Sequence, residues 1–251
     1  MNNNKNKIIL GVVLYILGLI GILSLLTLEI DYPEEVLNIL ESRFTPFQIK
    51  LLSLVNPIIM LTVAVPVGIV LFEKVGLKIP VISSFVSKVS IPKKSFYSIL
   101  TYSFLAGLLF SLLLILFEFS LYPLVEKELS QINSKTQPNL IVKILYGGIT
   151  EELLMRLGLM TFFVWLSYKV QRNLNNTSYW IGILFSSILF AFGHFPIVFS
   201  PIAEPSSLLL TIIFTGNFMG GLIFGWLYWE KGLESAMIAH ILAHLLTSLF
   251  M

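Results

Sequence analysis

Five titratable side chains and one arginine lie inside hydrophobic stretches of this chain, where such groups are uncommon. Placing a charged group at the centre of a bilayer costs several kcal/mol of free energy, so each of these residues is expected to have a polar partner or a functional role. The set comprises Glu151, Glu152, Arg156, His194, His240 and His244.

The spacing of these residues predicts how they face one another. Glu152 and Arg156 are four residues apart, so one helix face carries both and they can form a desolvated ion pair. Glu151 points about 100° away, which leaves its carboxylate free for another partner. His240 and His244 are also four apart, the spacing by which a helix presents two imidazoles to one metal, water or substrate oxygen.

Acyl hydrolysis is one chemistry that these residue types support. Glu151 can take a proton from water and so generate a nucleophile, and His194 can share that water. His240 and His244 can then donate hydrogen bonds to the oxyanion that forms when a peptide carbonyl is attacked. Alternatively, the same four side chains can hold a divalent cation such as Zn²⁺ that activates the water. The residue types leave both mechanisms open.

The composition places this constellation in a membrane. Of the 251 residues, 56% are hydrophobic and 12% are charged, whereas a soluble chain carries about 25% charged residues. Since about 20 helical residues cross a hydrocarbon core, we predict an all-α protein, a polytopic bundle of about seven transmembrane helices. The predicted spans lie near 8–28, 49–72, 96–122, 140–168, 179–195, 207–229 and 234–250.

Glycine and proline residues predict irregularities in three of these spans. Pro57 and Pro66 predict a kink in the second span, and Gly147 with Gly148 is a plausible site for a break in the fourth. Small residues at four- and five-residue steps in the sixth span predict close helix packing. These small residues are Gly216, Gly220, Gly221 and Gly225.

Two further polar residues within spans have ordinary explanations. Asn217 in the sixth span is expected to make an interhelical hydrogen bond, although it is also a candidate for the polar site. Glu118 is expected near the outer end of the third span, where its carboxylate reaches water.

The distribution of basic residues predicts the orientation. One set of alternate connections between spans holds most of the Lys and Arg residues. Because Lys and Arg accumulate on the cytoplasmic side of a membrane, this set is expected inside. We therefore expect an integral, multi-pass protein of the cell membrane with a cytoplasmic amino terminus. The acidic stretch Glu29, Asp31, Glu34, Glu35 and Glu41 then lies outside. The basic residues of the inner set are Lys5, Lys7, Lys74, Lys78, Lys88, Lys93, Lys94, Lys169, Arg172 and Lys231, and those of the outer set are Arg43, Lys50, Lys127 and Lys135.

Residues 80–92 form an amphipathic connection on the predicted inner side. Apolar residues recur there at helical spacing with serines opposite them, which predicts an interfacial helix. An ordinary amphipathic connection is the favoured interpretation over a lipid-sensing role.

The absence of cysteine excludes disulfides and cysteine-based metal sites, and the net charge of +2 does not favour nucleic acid as a partner. Membrane lipids are the expected surroundings. Nothing in the sequence indicates an oligomeric state.

Three ordered motifs resemble those of the CAAX protease and bacteriocin-processing family of intramembrane endopeptidases, which includes the type II CAAX prenyl endopeptidases. The motifs are Glu151-Glu152-x-x-x-Arg156, Phe190-x-x-x-His194 and His240-x-x-x-His244. The resemblance covers residues 140–250. We therefore divide the chain into residues 1–139, an amino-terminal region of three spans with the interfacial helix, and residues 140–251, a catalytic membrane region.

The resemblance implies a role for each motif residue. Glu151 would be the general base, with Glu152 and Arg156 as its structural and electrostatic support. His194 would bind the water or a metal, and His240 the oxyanion or a metal. His244 stands where family members often have asparagine, which preserves a hydrogen-bond donor but adds a possible metal ligand.

The resulting hypothesis is an endopeptidase, dependent on a glutamate or on a metal, that cleaves a membrane-associated or lipidated protein or peptide. One alternative is an ion-coupled transporter, because buried Glu, Arg and His also build proton relays. Another is a membrane immunity or interaction protein without protease activity.

Overall fold

The computed structural model describes residues 4–28, 34–136 and 138–250. Glu29 and Asp31 of the predicted outer acidic stretch lie outside the described residues, as do the side chains of Glu34, Glu35 and Lys135. The described residues form helices and connections with no strand. The α-helices are α1 (Asn4–Ser24), α2 (Glu34–Glu41), α3 (Pro46–Ser53), α4 (Val55–Leu71), α5 (Pro80–Ser87), α6 (Lys93–Thr136), α7 (Leu140–Val142), α8 (Thr161–Gln171), α9 (Asn176–Gly193), α10 (Phe195–Phe199), α11 (Ser207–Lys231) and α12 (Leu233–Phe250).

Seven helical stretches of the described chain are long and apolar enough to cross a membrane, which confirms the predicted fold class. They are Asn4–Thr27, Pro46–Val75, Lys93–Ile132, Leu140–Gln171, Asn176–Phe199, Ser207–Lys231 and Leu233–Phe250. Basic residues cluster at connections between these spans, but the orientation of the bundle and the domain boundary at residue 139 stay predictions.

The third span differs most from its predicted bounds, because α6 continues well beyond residue 122. Val125 within it has a non-helical backbone (φ −134°, ψ 17°), two residues after Pro123. Since proline has no N–H to donate to the preceding turn, the helix bends here rather than ending. Glu118 consequently lies inside a long helix, and its predicted position at the outer end of the membrane-crossing part stays a prediction.

Proline also shapes the second span. α3 ends at Ser53 and α4 begins at Val55, and Pro57 has no N–H to bond the carbonyl of Ser53. α4 then continues through Pro66.

The fourth span contains no break at Gly147 and Gly148, so that prediction was wrong. Instead, the chain winds as a π-helix over Lys143–Glu151 and again over Leu153–Met160, between α7 and α8. Such i→i+5 winding occurs frequently at functional sites. The glycines allow close packing: a Cβ atom at Gly147 would come 2.6 Å from Nε2 of His244, and one at Gly148 would overlap Ile241.

Glycines also bring α11 close to its neighbours, as predicted. A Cβ atom at Gly221 would lie 2.8 Å from the backbone of Ser187 in α9. One at Gly220 would lie 2.9 Å from the ring of Phe110 in α6. α11 therefore packs between the helix that ends at His194 and the long third span.

The predicted interfacial helix is α5, which is tied to the start of α12. The backbone N–H of Ile82 donates to Oε1 of Glu234 at 2.7 Å, and Glu234 is buried. The N–H of Leu233 donates to the carbonyl of Lys78 at 3.0 Å. These bonds hold α5 against the helix that carries His240 and His244.

Candidate active site

The fourth and seventh spans are joined inside the bundle by charged groups. Nδ1 of His240 in α12 donates to Oε1 of Glu152 at 2.8 Å. Oε2 of Glu152 lies 3.2 Å from Nε of Arg156, and both side chains are fully buried. The predicted desolvated ion pair is confirmed, and it directly supports His240.

Two aromatic rings enclose the guanidinium group of Arg156. Its Cζ lies 5.0 Å from the ring centroid of Phe190 and 5.7 Å from that of Phe224. Cation–π attraction of this kind is strongest where water is excluded, so the rings help to stabilise the buried positive charge.

The His240 ring lies between two other rings. It stacks on Phe224 with centroids 4.5 Å apart and an interplanar angle of 23°, and on His244 at 4.7 Å and 25°. Stacking on two faces and the hydrogen bond to Glu152 together fix the orientation of this imidazole.

His194 is positioned by the end of α9. Its Nδ1 lies 2.9 Å from the carbonyl oxygen of Phe190, one turn earlier. Since a carbonyl oxygen only accepts, Nδ1 carries the hydrogen, and Nε2 of the neutral ring is the acceptor. Pro196 in the short helix α10 has no N–H to continue the helical bonding, which explains why α9 ends near His194.

A cavity of about 580 Å³ brings the predicted residues together. Its walls include the Glu151 carboxylate and all three histidine rings, from His194, His240 and His244. Glu152 and Arg156 do not line the cavity and lie behind His240. The structure thus separates the two adjacent glutamates, since Glu151 faces the cavity while Glu152 is enclosed in protein.

Residues 133–246, which contain all of these side chains, match the family model described as type II CAAX prenyl endopeptidase, Rce1-like. This segment is similar to the Rce1-like family. No curated protein and no solved structure matches the chain. The match of the Rce1-like segment supports a CAAX-protease-like intramembrane endopeptidase at the level of the family.

The cavity of the Rce1-like segment also includes polar residues that the sequence analysis did not assign to it. Lys143 and Tyr146 line it from the π-helical part of the fourth span, and Glu118 lines it from α6. The four-residue steps from Lys143 to Gly147 and Glu151 are a sequence signal that predicts a shared face.

Asn217 also lines the cavity, but its amide makes a different bond from the one expected. Nδ2 donates to the carbonyl of Ile213 at 2.8 Å, within α11 rather than between helices. The prediction of an interhelical hydrogen bond was therefore wrong.

A metal site would need several side-chain donors directed at one point. Over residues 4–28, 34–136 and 138–250, no group of three or more His, Asp or Glu side chains is arranged to hold a metal ion. The predicted metal dependence stays a prediction.

Proposed function

We propose that this chain is an intramembrane endopeptidase in which Glu151 activates water for attack on a peptide bond. The observation that carries the proposal is the cavity in whose wall the Glu151 carboxylate lies together with three imidazoles. Glu151 accepts a proton as the water oxygen bonds to the carbonyl carbon. The peptide C–N bond then breaks, and the departing amine takes up the proton.

His194 orients the water in this mechanism. With Nδ1 donating to Phe190, Nε2 of the neutral ring accepts a hydrogen bond from the water. Two acceptors, the Glu151 carboxylate and this nitrogen, would then point a water lone pair toward the substrate.

His240 and His244 stabilise the oxyanion. Nδ1 of His240 already donates to Glu152, so a second donation from Nε2 requires the doubly protonated ring. The Glu152 carboxylate lies where it can balance that positive charge. His244 provides a further N–H donor beside it.

The substrate that suits this site is a membrane-associated or lipidated peptide. Most of the cavity wall is apolar, including Phe110, Leu114 and Phe117 of α6, and the cavity lies within the spans. An apolar segment or acyl-like chain gains free energy by burial against such a wall. The orientation with a cytoplasmic amino terminus in the cell membrane forms part of the same proposal and rests on the basic residues of the connections.

The test is cleavage by the purified full-length protein in proteoliposomes. Synthetic peptides with a membrane anchor, with and without a prenyl group, are incubated and the products identified by mass spectrometry. We expect cleavage of an anchored peptide, unchanged by a strong chelator. Loss of cleavage on chelation, restored by Zn²⁺, would contradict the metal-free mechanism, and intact peptides would contradict the protease.

A further inference from the structure

A second cavity of about 550 Å³ lies at the end of the bundle opposite the catalytic residues along α12. It lies between α5, the start of α6 and the connection from α11 to α12. Its walls include Lys78, Lys94, Lys231 and Glu230, together with Ser83, Ser84, Ser87, Ser90, Ser95 and Ser98. The serine face of the amphipathic segment therefore lines a solvent-open pocket.

The charge in this pocket favours an anion. Three lysines line it against a single carboxylate, that of Glu230. Nζ of Lys231 is held 3.8 Å from the ring centroid of Tyr102, so at least one of these cations is placed by packing. The serine hydroxyls add small polar groups without bulk, which leaves room for a group of phosphate size.

The pocket lies at the ends of helices that are long and apolar enough to cross a membrane, where we expect lipid headgroups. The segments that form it connect the second span to the third and the sixth to the seventh. Apolar and aromatic side chains of α5 and the start of α6 that do not line the pocket are exposed on the molecule, with Phe85 78% exposed and Tyr97 64% exposed. Such side chains pack against acyl chains and anchor a helix at the membrane interface.

We propose that this pocket binds the phosphate of an anionic phospholipid headgroup. Lysines near a membrane surface attract anionic lipids, and here they converge on a pocket rather than a flat face. The backbone of α5, tied to Glu234, gives the pocket a fixed wall.

The test uses native mass spectrometry of the full-length protein in detergent. Phosphatidylglycerol, phosphatidylcholine or inorganic phosphate is added, and the bound fraction is measured. We expect one phosphatidylglycerol to bind more tightly than phosphatidylcholine, whose choline group opposes the lysines. K78Q/K94Q should weaken this binding about thirtyfold, given the contribution of each interfacial lysine.

The matched control is K74Q/K169Q, which removes two lysines from the same end of the bundle but outside the pocket. It should bind phosphatidylglycerol like the unmodified protein. Lys94→Glu, a charge reversal at an exposed position, should also weaken binding. Equal affinities in K78Q/K94Q and the unmodified protein, equal binding of the two lipids, or displacement of phosphatidylglycerol by millimolar inorganic phosphate would each overturn the proposal.

Discussion

Glu152 and His240 are joined by a hydrogen bond of 2.8 Å that connects the fourth and seventh spans behind the cavity. The same carboxylate pairs with Arg156. One buried group therefore neutralises the guanidinium and also orients an imidazole that lines the cavity. The adjacent Glu151 faces the cavity. Two consecutive glutamates thus have different surroundings, one at the cavity and one buried in protein, which allows them different roles.

Removal of the Glu152 carboxylate should therefore affect both stability and turnover. Glu152→Ala leaves Arg156 buried without its counter-charge, and we expect a loss of about 3–5 kcal/mol in the free energy of unfolding. Unfolding in detergent micelles measures this loss.

A double substitution separates the two effects. Glu152→Gln with Arg156→Met removes both buried charges, so most of the stability should return. Turnover should stay low, because His240 still lacks its carboxylate. Full turnover in the double variant would contradict a role for the Glu152 charge in balancing protonated His240, because the glutamine oxygen can still accept the hydrogen bond from Nδ1.

Gly147 should be required for the position of His244. In Gly147→Ala the added methyl group meets Nε2 of His244, and the ring must shift. A displacement of about 1 Å can reduce turnover roughly 10²-fold. Gly193→Ala, where an added Cβ meets no atom within 4 Å, is the control and should keep its turnover. Equal rates for the two variants would show that the Gly147 contact does not matter.

His244 should be replaceable by asparagine but not by alanine. Asparagine keeps an N–H donor, whereas alanine removes it, and loss of one oxyanion donor costs about 10²–10³-fold in turnover. Steady-state cleavage by His244→Asn and His244→Ala checks this. If both variants are equally impaired, the imidazole has a task other than donation.

The spans and the motif residues could be predicted because both depend on local features of the sequence. Hydrophobic length alone identifies the seven spans, and the four-residue step from Glu152 to Arg156 identifies their ion pair. The order of the motifs suggested that His194 and Glu151 lie close together. Their meeting in one cavity depends on how separate helices pack.

Other features depend on contacts between distant segments and leave no local pattern. The π winding of Lys143–Glu151 leaves no signal in the hydropathy, because an α-helical and a π-helical fourth span have the same composition. Phe224 looks like any apolar residue of the sixth span, yet it stacks on His240.

The most direct test of the central claim compares two carboxylates in one cavity. Glu151→Gln and Glu118→Gln each replace a cavity-lining carboxylate with an amide of nearly the same shape. Cleavage of an anchored peptide in proteoliposomes should fall at least about 10²-fold in Glu151→Gln, because the general base is lost, and remain measurable in Glu118→Gln. Unchanged cleavage by folded Glu151→Gln protein would contradict the account.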